Sequence, residues 1–159
     1  MLAAGLAVAT VTDLRSRRIP NYLTAAMAAL GIGMSVTGSS GISVVAAIGG
    51  LVIGLLLMLP GYGLGATGAG DVKLMAAVGA IVGPSLAVSA FLFTSLAGGV
   101  LALIVAMQRK RLAATLAGTG RLVAEPANAP QQIKGATAAS RFAYGPAIAI
   151  GSVIAVLIR

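Results

Sequence analysis

Asp13 and Asp71 are two of only three acidic side chains in the 159-residue chain, and each sits at the end of an apolar segment. The third, Glu125, lies in a polar stretch. A carboxylate in or beside hydrocarbon is costly to keep, so its presence there points to function. Two such groups suggest a pair. Paired carboxylates can run acid and base chemistry together, one holding a proton while the other is charged. The chain has no Cys and no His. Disulfides and thiolate or imidazole metal sites are thereby excluded, and no metal or organic cofactor is expected.

The segments that must position these carboxylates are those of a membrane protein. Hydrophobic residues make up 58% of the chain and charged residues 9%, with a mean hydropathy of +1.03. Soluble domains carry about 25% charged residues. The expected class is all-α: a polytopic membrane protein built as one bundle of about six transmembrane helices, a single membrane-embedded domain over 1–159. A crossing needs roughly 20 mostly apolar residues. The candidates are about 1–14, 20–37, 41–60, 70–83, 84–107 and 142–158, with a longer basic loop at 108–141. The first and fourth are short. Fourteen helical residues reach about 21 Å against a hydrocarbon core of roughly 30 Å, so either the bundle thins the bilayer or the native chain begins upstream. Short helices carrying the carboxylates would let water reach them, as hydrolysis requires. The first span does not read as a cleaved signal. No positive charge precedes its apolar run and an Arg cluster follows it, the reverse of a secretory leader. Abundant Gly and Ala, as in 47–54 and 97–99, predict close helix packing.

The net charge is +8. Basic residues flank the apolar segments, so membrane topology accounts for the charge and no nucleic-acid partner is expected. With the N-terminus outside, the inner loops are 15–19, 61–69 and 108–141. Arg15, Arg17, Arg18, Arg109, Lys110, Arg111, Arg121, Lys134 and Arg141 then fall inside, Lys73 lies at the inner end of the fourth span, and only Arg159 is outside. Positive charge concentrates on the cytoplasmic side of membrane proteins. This topology brings Asp13, which ends the first span going inward, and Asp71, which begins the fourth going outward, to the same cytoplasmic face.

In Asp13-Leu14-Arg15-Ser16-Arg17-Arg18-Ile19-Pro20-Asn21, Pro20 suits the first turn of the second helix, where its missing N–H is harmless. The Arg residues hold this turn at the headgroups. A plainer reading makes Asp13 an interfacial partner of Arg17 or Arg18. The glycine-rich stretch from Pro60 to Lys73 contains Gly68-Ala69-Gly70-Asp71-Val72-Lys73. It lacks the Gly-Lys-Ser/Thr ending of a phosphate loop, and no strand precedes it as a dinucleotide fingerprint requires. Its glycines can bring backbone close to an extended peptide. Asp71 falls in a first helical turn, where the helix dipole favours an anion, so a purely stabilising role is the alternative. Lys73 either screens developing charge or anchors to lipid phosphates. Leu112, Leu116 and Val123 suggest a helix lying in the interface over 109–124, with a flexible basic loop as the alternative. Gly145-Pro146 predicts a kink or a late helix start that shapes the site without taking part in the chemistry.

The run from Asp13 through Arg18-Ile19-Pro20-Asn21, followed by Gly68-Ala69-Gly70-Asp71-Val72-Lys73 and by Tyr144-Gly145-Pro146-Ala147-Ile148-Ala149-Ile150-Gly151, resembles the type IV prepilin peptidases, which are intramembrane aspartyl proteases of the GxGD type. The resemblance covers nearly the whole chain in order. It implies that Asp13 and Asp71 are the catalytic pair, and that Gly68, Gly70, Lys73, Arg18, Pro20 and Asn21 are substrate-binding or supporting motif residues. The implied substrate is the short basic leader of a prepilin, cut on the cytoplasmic side before its hydrophobic helix. The implied location is the bacterial inner membrane. Long members of the family carry an N-terminal cytoplasmic domain, often with a Cys metal site, linked to N-methylation of the product. This sequence contains neither and resembles the short form of Flp or tight-adherence pili, so no methyltransferase activity is expected. The alternatives are a preflagellin or signal-peptide peptidase of the same type, a small proton-coupled transporter, and a structural subunit. A transporter would place its carboxylates near the bilayer midplane, whereas these lie near one face.

Overall fold

The computed structural model describes residues 1–16, 18–108 and 144–158. Six helices account for them: α1 (Leu2–Ser16), α2 (Asn21–Val36), α3 (Val44–Gly63), α4 (Ala69–Val82), α5 (Pro84–Gln108) and α6 (Gly145–Leu157). No strand occurs among the described residues. Arg17 and the 109–124 segment expected to lie in the interface fall outside them.

Local chemistry sets most of the helix ends. Pro20 is the residue before α2, in an extended conformation. Its carbonyl accepts from the N–H groups of Leu23 and Thr24. This is one position earlier than the first-turn placement expected from sequence, and the missing N–H is harmless in either place. Ser43 caps α3 by accepting the Ala46 N–H on its hydroxyl at 3.1 Å, as N-cap serines do. α3 then runs through Pro60 to Gly63, so the third helix begins and ends three residues later than the apolar run at 41–60 suggests. The proline forfeits one backbone hydrogen bond, but the turn closes on itself: the Gly61 carbonyl accepts from the N–H groups of both Ala66 and Thr67. Between α4 and α5 the chain reverses on the single residue Gly83, whose φ of +85° lies where a side chain would be strained. Pro84 then starts α5 directly.

α4 is the centre of the bundle and packs against each of the other five helices. Val72, Leu74, Met75, Ala76, Ala77, Val78 and Ala80 are all buried and cover its whole circumference. A helix that is apolar all round belongs in such a place. Encased in this way, a 14-residue helix need not match the thickness of surrounding lipid. The outer helices show the opposite arrangement, with Tyr22, Val45, Leu56, Leu92 and Leu96 exposed. Large apolar side chains turned outward on several helices fit a lipid surround, not water. α3 and the Pro84–Ile104 part of α5 are long and apolar enough to cross a membrane, with mean hydropathies of 2.4 and 2.1.

Small residues make the contacts with α4. Gly50 of α3 meets Gly79 backbone to backbone, Gly54 lies on the Met75 backbone, and Gly31 of α2 lies on Ala80. Without a hydrophobic drive between helices in lipid, close approach of this kind is a main source of attraction.

Candidate active site

Asp13 lies in the last turn of α1 and Asp71 in the first turn of α4; both are buried, with 5% and 8% of their surface exposed. A buried carboxylate must be supplied with hydrogen-bond donors or it is prohibitively costly. Each receives one from the start of a helix. The Gly68 N–H donates to Asp71 Oδ2 at 2.8 Å, and the Gly145 N–H donates to Asp13 Oδ2 at 2.8 Å. The first bond is local, three residues along the chain, and follows from Asp at the third position of a helix reaching back to its cap. The second joins residues 132 apart in sequence. It exists because α1 packs against α6. The exposed N–H groups of a helix start also carry the positive end of the helix dipole, which suits an anion.

Asp13 ends α1 and Asp71 opens α4, two helices that pack against each other and against α6. α1, α4 and α6 converge at this point. Asp13 is buried and bonded to Gly145; of its two expected arginine partners, Arg17 lies outside the described residues. Arg18 is exposed.

Of the other residues singled out from sequence, Gly68 touches Asp71 directly, and Gly70, Lys73 and Asn21 join α4 to the α1–α2 turn and the start of α2. Ile19, just before Pro20, is buried against α4: a Cβ built on Gly70 would come within 3.1 Å of the Ile19 Cβ. A Cβ on Gly68 would stand 3.2 Å from Asp71 Oδ2. These glycines therefore let the α3–α4 turn lie directly on the Asp71 carboxylate and on the α1–α2 turn. Lys73 extends from the second turn of α4 to α2, where its Nζ donates to Asn21 Oδ1 at 2.9 Å. Both residues of this bond are exposed. Arg18 contributes its carbonyl, which accepts from the Ser16 hydroxyl at 3.2 Å.

Two residues were given no chemical part from sequence. α6 starts late, at Gly145, with Tyr144 as its cap and Pro146 in its first turn. Gly145 supplies the Asp13 donor, and the Tyr144 ring fills the notch left by Gly98 on α5, where an added Cβ would lie 2.7 Å from its Oη. One sequence signal could have found Gly145: a Gly-Pro helix start presents its free N–H to whatever anion lies opposite. Among the described residues no three of His, Cys, Asp and Glu come together as a metal-binding group.

A family model described as the type IV leader peptidase family matches residues 1–103, which include both aspartates and stop short of α6. No curated protein and no solved structure matches the chain.

Proposed function

Because the chain belongs to the type IV leader peptidase family, we propose that it is a membrane aspartyl endopeptidase that removes the short basic leader of Flp-type prepilins by a two-aspartate mechanism. The carrying observation is the burial of Asp13 and Asp71 at the ends of two helices that pack together, each held through Oδ2 by one backbone N–H. Two carboxylates so placed resist ionising together, so one keeps its proton. Among the described residues the second oxygen of each accepts no hydrogen bond, which suits a place for water or substrate.

The charged carboxylate takes a proton from water as the water oxygen bonds to the scissile carbonyl carbon. The protonated carboxyl gives its proton to the carbonyl oxygen, forming a neutral tetrahedral diol. The roles then reverse: one diol hydroxyl returns its proton to a carboxylate, and the carbonyl reforms. The C–N bond breaks as the amine nitrogen takes the proton held by the other carboxyl. Water is consumed and the pair regains its single proton. Since a coupled pair titrates as a unit, the base is a property of the pair.

The proposed setting is a six-span bundle in the bacterial inner membrane with its N-terminus outside and the pair at the cytoplasmic face. The one-sided distribution of Arg and Lys supports this orientation. The glycine-lined approach to Asp71 suits a substrate with a small residue before the cut, because Gly68 and Gly70 already bring backbone into contact there.

Asp13→Asn and Asp71→Asn test the mechanism. Each keeps the size of the side chain and removes the titrating group. Purified in detergent and mixed with a prepilin, both variants should leave it uncut by mass spectrometry. Substantial cleavage by either one would refute the paired mechanism.

A further inference from the structure

We infer that Gly145 is a positioning residue for Asp13, on which the two-aspartate reading rests: its N–H fixes the carboxylate, and its lack of a side chain leaves the carboxylate room. The bond is 2.8 Å long and buried. A Cβ at Gly145 would lie 2.8 Å from Asp13 Oδ2, 3.0 Å from its Cβ and 3.2 Å from its Cγ. All three distances are inside the roughly 3.5–4.0 Å at which carbon contacts become favourable. Even the smallest side chain must therefore push the carboxylate from its place or force α6 away from α1.

The neighbours of Gly145 explain why this donor is fixed. Pro146 follows it in the first turn of α6 and has no N–H, so the Gly145 N–H has no adjacent donor on its C-terminal side to replace it. Tyr144 precedes it, with its ring lodged in the Gly98 notch of α5. The start of α6 is thus pinned to α5 on one side and presents one N–H to α1 on the other. The family match ends at residue 103, so it assigns nothing to this helix.

The sequence provides an unusually clean probe, because Asp13 and Asp71 are its only aspartates. Protein made by cell-free synthesis with carboxyl-13C aspartate should show infrared carboxyl bands from these two groups alone. Asp13→Asn identifies which band is which. Gly145→Ala should shift the Asp13 band and leave the Asp71 band in place. With prepilin as substrate, it should lower kcat by about tenfold or more, the scale of a hydrogen bond to a charged group, while KM holds. Gly33→Ala, where an added Cβ meets nothing within 4 Å, should change neither. If Gly145→Ala fails to fold, replacing Gly145 by glycolic acid removes the N–H and adds no atoms, and the same band shift is expected. An unmoved Asp13 band in the folded variant, or wild-type kcat in Gly145→Ala, overturns the inference. Full cleavage by Asp13→Asn with a shifted Asp13 band in Gly145→Ala would leave the hydrogen bond standing and sink the catalytic reading instead.

Discussion

Alanine at Gly49 and alanine at Gly50 should move stability in opposite directions, although the two are adjacent in α3. A Cβ at Gly49 meets nothing within 4 Å. The substitution there only removes the conformational freedom of glycine, a gain of about 0.5–1 kcal/mol in a helix interior. A Cβ at Gly50 would lie 2.8 Å from the carbonyl carbons of Gly79 and Gly83, with the Gly79 oxygen nearer still. These are backbone atoms, so no side-chain rotation relieves the clash, and α3 and α4 must separate. Overpacking of this kind costs about 1–3 kcal/mol. Set against the same helix gain, the net loss is anywhere up to about 2.5 kcal/mol. For a chain of this size each kcal/mol moves Tm by about 2–4 °C. Thermal unfolding in one detergent should therefore place Gly49→Ala about 1–4 °C above wild type and Gly50→Ala as much as about 10 °C below it. Activity should follow for a separate reason. Gly79 and Asp71 ride on the same helix, eight residues or about 12 Å apart, so shifting α4 shifts Asp71. A displacement near 1 Å can cost about 100-fold in rate. Equal melting temperatures for the two variants, or a Gly50→Ala protein more stable than wild type, would refute the claim that α4 is held by backbone contact.

The Lys73–Asn21 bond ties α4 to α2. Lys73→Met and Asn21→Leu should each slow prepilin cleavage, and the double variant should be no slower than the worse single one; additive losses would mean that the two act separately. Metal chelators should leave the cleavage rate unchanged, since a chain with no Cys, no His and three acidic residues offers a poor donor set; a rate restored only by zinc would count against the two-aspartate mechanism. Because the chain has no native Cys, single cysteines report orientation cleanly. Ser39→Cys should react with a membrane-impermeant thiol reagent on intact spheroplasts and Ser16→Cys should not, and the reverse pattern would put the carboxylates on the wrong face.

Most of what could be read from sequence is local in origin. Asp13 and Asp71 stand out because charge is rare in so apolar a chain, and a carboxylate at the end of an apolar run is visible without any fold. The helix starts at Pro20 and Gly145 and the break at Gly83-Pro84 follow from proline and glycine acting on their own backbone. The Gly68–Asp71 bond spans three residues, so the sequence carries it too. The end of α3 lies beyond the apolar run. That run closes at about 60, and the helix continues to Gly63 because the following turn satisfies its carbonyls.

What only the tertiary structure decided concerns which faces meet. Helices rich in apolar residues on every side carry little amphipathic signal, so nothing in their pattern says that α4 is central or that Gly50 touches a neighbour while Gly49 does not. The Asp13 donor is the sharpest case. Gly145 lies 132 residues away, and its N–H reaches the carboxylate only once α6 has docked between α1 and α5. Spacing along the chain specifies which groups a turn can bring together; packing between helices decides which distant backbone donor a buried charge will find.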